Sequence, residues 1–457
     1  MRSQLSNLSS GTSLRLAAFL WVTLFCAHGA LAVPSYSRQT GLACSSCHYA
    51  PPELNAFGRK FKLEGYTFAT KPEISEDKKD HTSALHLLEV LPLSAVFDTS
   101  FTSTKTPVPG TQNGSFEFPQ AVSLFLAGAW GSHVGSFAQV TYDAQADHFS
   151  WDNTDIRAAG TNGKLFGKQL VYGLTMNNNP TVEDLWNSTP AWGFPFVSTN
   201  TAPSPTAGAI INGGLAQDVA GLGGYAMWND HFYLVGTVYR SEHLGAPQPN
   251  DGTCCGFNIR GMAPYWRLAY QTTHGNHDFE IGTYGMHVKS TPGAITGPED
   301  AYTDWAGDFQ YNLTIPEWKN DVVSVRGTYI RENSSLVASV AAVPPTAGFV
   351  GHHLNTVQGE AEYHFGTRVA TTIGLFSVTG TADPILYPQA PVTGNLNGSP
   401  NSRGYIFSVA WWPQQNIGLT AQYTGYTRFN GGSTNYDQAG RNANGNNSIY
   451  LMARFVF

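Results

Sequence analysis

The chain has 457 residues, a net charge of −7 and only 12% charged residues, while glycine (48) and aromatic residues (13%) are abundant. This acidic, charge-poor balance leaves no basic surface to displace counterions, and it excludes nucleic acid as a partner. A mean hydropathy of −0.20, with no run past the N-terminal segment reaching the roughly 18 apolar residues of a membrane helix, excludes a helical membrane protein and points to a β-rich chain.

Residues 1–32 read as a secretory signal. Arg2 and Arg15 give a positive region, Leu16 to Cys26 an apolar one, and Ala30-Leu31-Ala32 an A-x-A cleavage site. The bulky Phe25 ahead of Cys26 disfavours a lipoprotein site there. The mature chain is therefore expected outside the cytoplasm. Its five cysteines less Cys26 leave four, too few for a disulfide framework at this length.

Two of the four lie in Cys44-Ser45-Ser46-Cys47-His48, a C-x-x-C-H motif. Thiols at that spacing can form thioethers to the two vinyl groups of one porphyrin, and the histidine after them is placed to bind its iron. The motif thus reads as the attachment site of one c-type haem. The alternatives are a structural disulfide or a thioredoxin-like pair, and the latter belongs at a helix start within a βαβ unit that the flanking sequence lacks.

Residues 33–70 form a small haem unit. Pro51-Pro52 open a helix, on which Leu54, Phe57 and Phe61 make an apolar stripe for a porphyrin face or for ordinary core. Arg59, Lys60 and Lys62 take the other side, and Gly65 suits the helix stop. So short a unit builds little core alone, so haem or an enclosing wall must supply apolar surface. Residues 71–85, which carry the charge run Lys71 to His81, read as a solvated linker.

From residue 86 to 457 the texture is one of period-two alternation broken by Gly, Asn, Pro and Asp. Trp305, Gly307, Phe309, Tyr311 and Leu313 share one face against Asp304, Asp308, Gln310 and Asn312. Val357, Ala361, Tyr363 and Phe365 oppose Gln358, Glu360, Glu362 and His364. Alternation is the strand signal, and a second face this polar suits a wet lumen rather than a core. About sixteen strands are expected, including 148–159, 207–228 and 352–365. Short connections such as Asn229-Asp230, Gly275 and Gly366-Thr367 alternate with long ones such as 178–206, 241–259 and 380–401. That is the pattern of periplasmic turns and extracellular loops. The expected fold is all-β, a transmembrane antiparallel β-barrel whose lumen is plugged or abutted by a small α-helical N-terminal c-type haem domain. The last strand, ending Phe455-Val456-Phe457, carries the terminal aromatic that resembles the assembly signal of outer-membrane barrels.

With motif and barrel both in view, the N-terminal wording becomes recognisable. Tyr36-Ser37-Arg38-Gln39-Thr40-Gly41-Leu42-Ala43 before the motif, with Leu54-Asn55-Ala56-Phe57-Gly58-Arg59 and Gly65-Tyr66 after it, resembles the fused monohaem cytochrome–porins of the bacterial outer membrane, whose best-known members are Fe(II) oxidases. The close match covers about residues 34–66, and beyond it only the architecture is shared. The resemblance implies that Cys44 and Cys47 bind haem c covalently and that His48 ligates its iron. It also implies an outer-membrane location in contact with lipid, an extracellular electron donor such as Fe(II), and a periplasmic c-type cytochrome as partner.

The second axial ligand is left open. No methionine lies between residues 2 and 175, so the candidates are His81 or His86 in the linker, or inner-wall groups such as Met176, Met286, His287 and His364. An open sixth position is a further alternative. Inward carboxylates Asp304, Asp308, Glu360 and Glu362 would favour cations in the lumen or merely hydrate it, and His352-His353 and Cys254-Cys255 are expected on extracellular loops. Two rival functions are a haem-bearing porin for solute passage and a conduit running outward to an extracellular acceptor.

Overall fold

A computed structural model of the chain describes residues 35–457, apart from 50–52, 68–72, 76–85, 112, 190–198, 243–257, 293–294, 319, 342–349 and 396. The expected signal segment, His81 and Cys254-Cys255 lie outside the described residues. Two short strands, β1 (Glu73–Ser75) and β2 (His86–Leu88), pair antiparallel ahead of the main sheet. Part of the expected linker is therefore strand, because Ile74 and Leu87 fall opposite each other in a register the charge run obscures.

The alternating segments become β3 (Leu93–Thr104), β4 (Ser115–Ala129), β5 (Val134–Asp143), β6 (His148–Leu165), β7 (Lys168–Asn177), β8 (Val219–Trp228), β9 (Phe232–Ser241) and β10 (Ala263–His274). They continue as β11 (His277–Ser290), β12 (Asp300–Ile315), β13 (Asp321–Ser335), β14 (Gly351–Phe365), β15 (Val369–Gly380), β16 (Ser402–Gln414), β17 (Ile417–Arg428) and β18 (Ser448–Val456). Every strand pairs antiparallel with its neighbours, and β18 pairs with β3 at Leu451↔Phe101, closing a sixteen-strand barrel with no free edge.

The faces sort as the alternation predicts. Trp305 and Phe309 are 50% and 42% exposed, whereas Asp304 and Asp308 are buried inside. Leu222, Leu234, Leu268, Ile281, Ile373, Leu375 and Leu451 extend the apolar outer band. Exposed Trp130, Phe166, Phe232, Trp318, Phe365 and Trp411 ring the end that carries the short turns. An apolar belt edged by an aromatic girdle is stable against hydrocarbon and not against water, so the barrel spans a membrane.

The short turns, 130–133, 166–167, 229–231, 275–276, 316–320, 366–368 and 415–416, share one end with the start of β3 and the end of β18. Asn229 and Asp230 both take positive φ, the backbone that lets so tight a link match strand twist. At the other end, the connection 144–147 is the one exception to long loops.

Two segments fill the lumen. From the short-turn end comes a plug of α1 (Ser35–Thr40), a 3-10 turn at Cys44–Ser46 and α2 (Ala56–Leu63). The cap of α2 is Asn55, whose side chain accepts from the Gly58 amide, so the helix starts four residues later than Pro51-Pro52 suggests. It ends as expected at Gly65 (φ +73°), where Gly65 and Tyr66 amides return to the Lys62 and Phe61 carbonyls. The expected apolar stripe divides. Phe61 meets Tyr36 and Tyr66 edge-to-face at 5.1 and 5.8 Å, while Phe57 is 39% exposed.

From the long-loop side, the described parts of the β7–β8 connection fold inward. Residues 207–218, expected as the start of a strand, belong to it. Ala209, Ile211 and Leu215 alternate like a strand because they pack against the wall of β8 to β13.

Candidate functional site

The motif Cys44–His48 sits at the short-turn end, held by the helix that follows it. Asn55 donates through its amide side chain to the Ser46 carbonyl at 2.9 Å, and its backbone amide to the Cys47 carbonyl at 2.9 Å. A Cβ on Gly58 would lie 2.2 Å from the Cys47 carbonyl oxygen, so only glycine lets α2 approach this closely. The Cys44 amide donates to Gln415 in the β16–β17 turn at 3.1 Å.

Both thiols are half-buried and neither is in a disulfide. Burial pushes the Cys47 thiol up to about 11, with Cys44 adding to the effect, and raises Cys44 as well. Cys44, His48 and Tyr49 face a cleft whose opposite wall is His364, Gly366, Thr367, Val369, Trp412 and Gln415. Tyr49 donates toward Asp278 at 3.4 Å.

Behind the cleft lies a buried polar cluster. Glu53 of the plug accepts from Gln310 and from Ser324 (3.1 Å). On β14, Glu362 accepts from Thr372 at 2.5 Å, and its other oxygen is 2.6 Å from His364 Nε2. Glu360 pairs with Arg326. Burial pushes the Glu53 carboxyl above its ordinary range, with Arg326 opposing.

The earlier candidates separate clearly. Cys44, Cys47 and His48 are brought together, and His364 joins Cys44 and His48 on the cleft. His86 lies on β2, where its side chain is outside the described residues. Met176 and His287 are on the outer wall, not the inner one: Met176 is 49% exposed, and His287 bonds Thr303 on the outward face. One-residue parity decides this, since neighbouring Met286 is inside and buried. His352 and His353 begin β14 rather than occupying a loop, and His352 pairs with Asp383 at 2.8 Å.

The inward carboxylates are not hydrating an open pore. Asp308 pairs with Arg267 at 2.6 Å and accepts from Ser188, while Asp304 accepts from the Ile211 amide at 2.7 Å. Two of the three cations expected on the other side of α2, Arg59 and Lys62, are buried against the wall and the inward loop. Arg59 meets Asp278 at 2.7 Å, and Lys62 donates to the Val182 carbonyl at 2.5 Å beside Asp155. Arg157 bridges Asp155 (2.8 Å) and Glu183 (2.9 Å). Trp186 of the inward loop has the guanidinium groups of both Arg59 and Arg267 over its ring, at 5.7 and 5.2 Å. Plug, loop and wall are thereby joined.

No protein-family model matches the chain, and no curated protein does. Among solved structures it is similar to Salmonella typhi OmpF in complex with daunomycin, at 11% identity and a TM-score of 0.47, over 80% of this chain and 97% of that one. It is also similar to the outer membrane channel DcaP of Acinetobacter baumannii (11%, TM-score 0.44, 80% and 96%) and to a loop L8 deletion mutant of OmpT, an outer membrane protein of Vibrio cholerae (10%, 0.41, 80% and 98%).

Proposed function

We propose that this protein is an outer-membrane electron-transfer protein with one covalent haem c held at the short-turn mouth of a porin-like barrel. The observation that carries the reading is that Cys44 and His48 open together on a walled cleft, with Cys47 beside them in the same turn and the lumen behind filled by plug and inward loop. The donor types suit the group, and the cleft has to open to admit a porphyrin. Cys44 and Cys47 would hold it by thioether bonds and His48 would ligate its iron, with Trp412 offering an aromatic wall. Bound there, haem supplies one-electron chemistry at a place where lipid would otherwise insulate the two sides.

The chain's own residues do the rest. Asn55 and the bare backbone of Gly58 fix the motif's orientation. The Arg59–Trp186–Arg267 stack and the Lys62 anchor keep solvent and solutes out of the passage. The donor expected from outside is Fe(II), and the acceptor a periplasmic c-type cytochrome. Purified full-length protein is expected to contain one haem per chain by pyridine haemochrome assay. Cys44→Ala and Cys47→Ala should each lose covalent haem staining while the barrel still folds. Stopped-flow mixing with Fe(II) at acid and neutral pH should reduce the haem, and absence of reduction at both would remove iron as donor.

Solute passage is the second reading. It is favoured by the porin-like barrel and its inward-folded β7–β8 loop. Single-channel conductance separates the two. An open level typical of a wide barrel with haem in place would favour passage, and a sealed lumen the conduit.

A further inference from the structure

A second centre lies directly behind the cleft. We propose that Glu53, Glu362 and His364 bind one divalent first-row transition-metal ion on the barrel side of the Cys44–His48 motif. Glu53 comes from the plug, and Glu362 and His364 from the same inner face of β14, so seating the plug assembles the set. The three are 1%, 4% and 2% exposed, and one donor atom from each lies within 4.8 Å of the others. Small rotamer changes close that span on an ion with bonds of roughly 2.0–2.2 Å.

A separate observation points at a ligand. Glu362 Oε1 and His364 Nε2 are 2.6 Å apart, both fully enclosed, and have no partner beyond each other. Two electron pairs aimed at one spot in a dry interior need a proton or a cation between them. The charge balance favours the cation. Glu53, Glu360 and Glu362 face a single guanidinium, Arg326, and all four side chains are buried. With the three carboxyls ionised, a dication brings the group to neutrality, whereas a proton on His364 leaves one negative charge. Two carboxylates and one imidazole form a borderline donor set that suits Mn(II), Fe(II) or Zn(II) better than Cu(I) or Ca(II). Because His364 also lines the cleft, the ion lies beside the motif. Only the physiological ion rests on the conduit reading, which makes it Fe(II), the donor itself.

The test uses full-length, haem-loaded protein in detergent, with Mn(II) as a redox-inert probe followed by loss of its free EPR signal. One Mn(II) per chain is expected. Glu362→Gln and His364→Gln should each weaken binding by more than the roughly 10- to 100-fold that even an outer-sphere partner contributes. Glu299→Gln, which alters a carboxylate paired with Arg260 and Lys289 on an outer loop, should leave it unchanged. Haem content and the fast gel migration of an unheated barrel establish that the variants fold. The proposal is overturned if no stoichiometric Mn(II) binds, or if both variants bind as the parent does. It also falls if metal-free His364→Gln loses a histidine ligand from the haem spectrum, which would assign that imidazole to the haem iron. A chain without haem that still takes up Mn(II) at these residues would sink the conduit reading alone.

Discussion

Lys62 is a cation almost without water. Its ammonium has the Val182 carbonyl at 2.5 Å and Asp155 at 3.7 Å, and burial lowers its pKa from 10.5 to about 8, with Asp155 opposing. In the unfolded chain the group titrates near ~10.4. Between about 8 and ~10.4 the unfolded state therefore holds more protons than the folded one, and stability rises with pH across that window. Below about pH 8 both states are protonated and the penalty is constant, on the order of 3 kcal/mol. Lys62→Met should abolish the rise, because Asp155 keeps Arg157 and the Tyr66 hydroxyl as partners. The measurement is the opening free energy of the α2 amides from hydrogen exchange between pH 7 and 10, corrected for intrinsic rates. A slope identical to the parent's would assign the effect to another group.

The plug is seated chiefly through α2. Arg59→Ala removes the ion pair with Asp278, the bond to Gln271 and the contact with Trp186. Leaving a buried carboxylate unpaired costs about 3–5 kcal/mol, enough to unseat an element with so little core. The variant should keep a folded barrel yet show raised conductance and faster proteolysis near residues 35–66. Sealed bilayers and an intact segment would show that the seat does not depend on this contact. These charged anchors were the part of the molecule least legible in the sequence. Arg59, Lys60 and Lys62 look like the wet face of an amphipathic helix until the wall is known, since Asp278 and Asp155 lie far along the chain. The strands were easier, because parity alone sorts Trp305 from Asp304 without knowledge of any partner. The same rule misread 207–218, whose Ala209, Ile211 and Leu215 alternate for packing inside the lumen. The Cys44–His48 motif is local, and its spacing could be read directly. The Glu53, Glu362 and His364 cluster could not, since it forms only when plug and β14 meet.

The whole cylinder depends on an outer surface that water would destabilise. Ile373, 59% exposed in the middle of β15, should cost about 2–4 kcal/mol as Ile373→Arg. The same change at Phe365, in the aromatic ring beside a short turn, should cost ~1 kcal/mol or less. Denaturant midpoints of barrels folded into lipid vesicles measure both, and equal costs would mean that the belt does not lie in hydrocarbon. Trp186 has a consequence at this scale too. Gripped by a guanidinium from the segment below and another from the wall, it makes one latch of what look like two doors. Neither door can swing while the other stays shut, so current through a single molecule should jump between silence and one full level, with no plateau at half height.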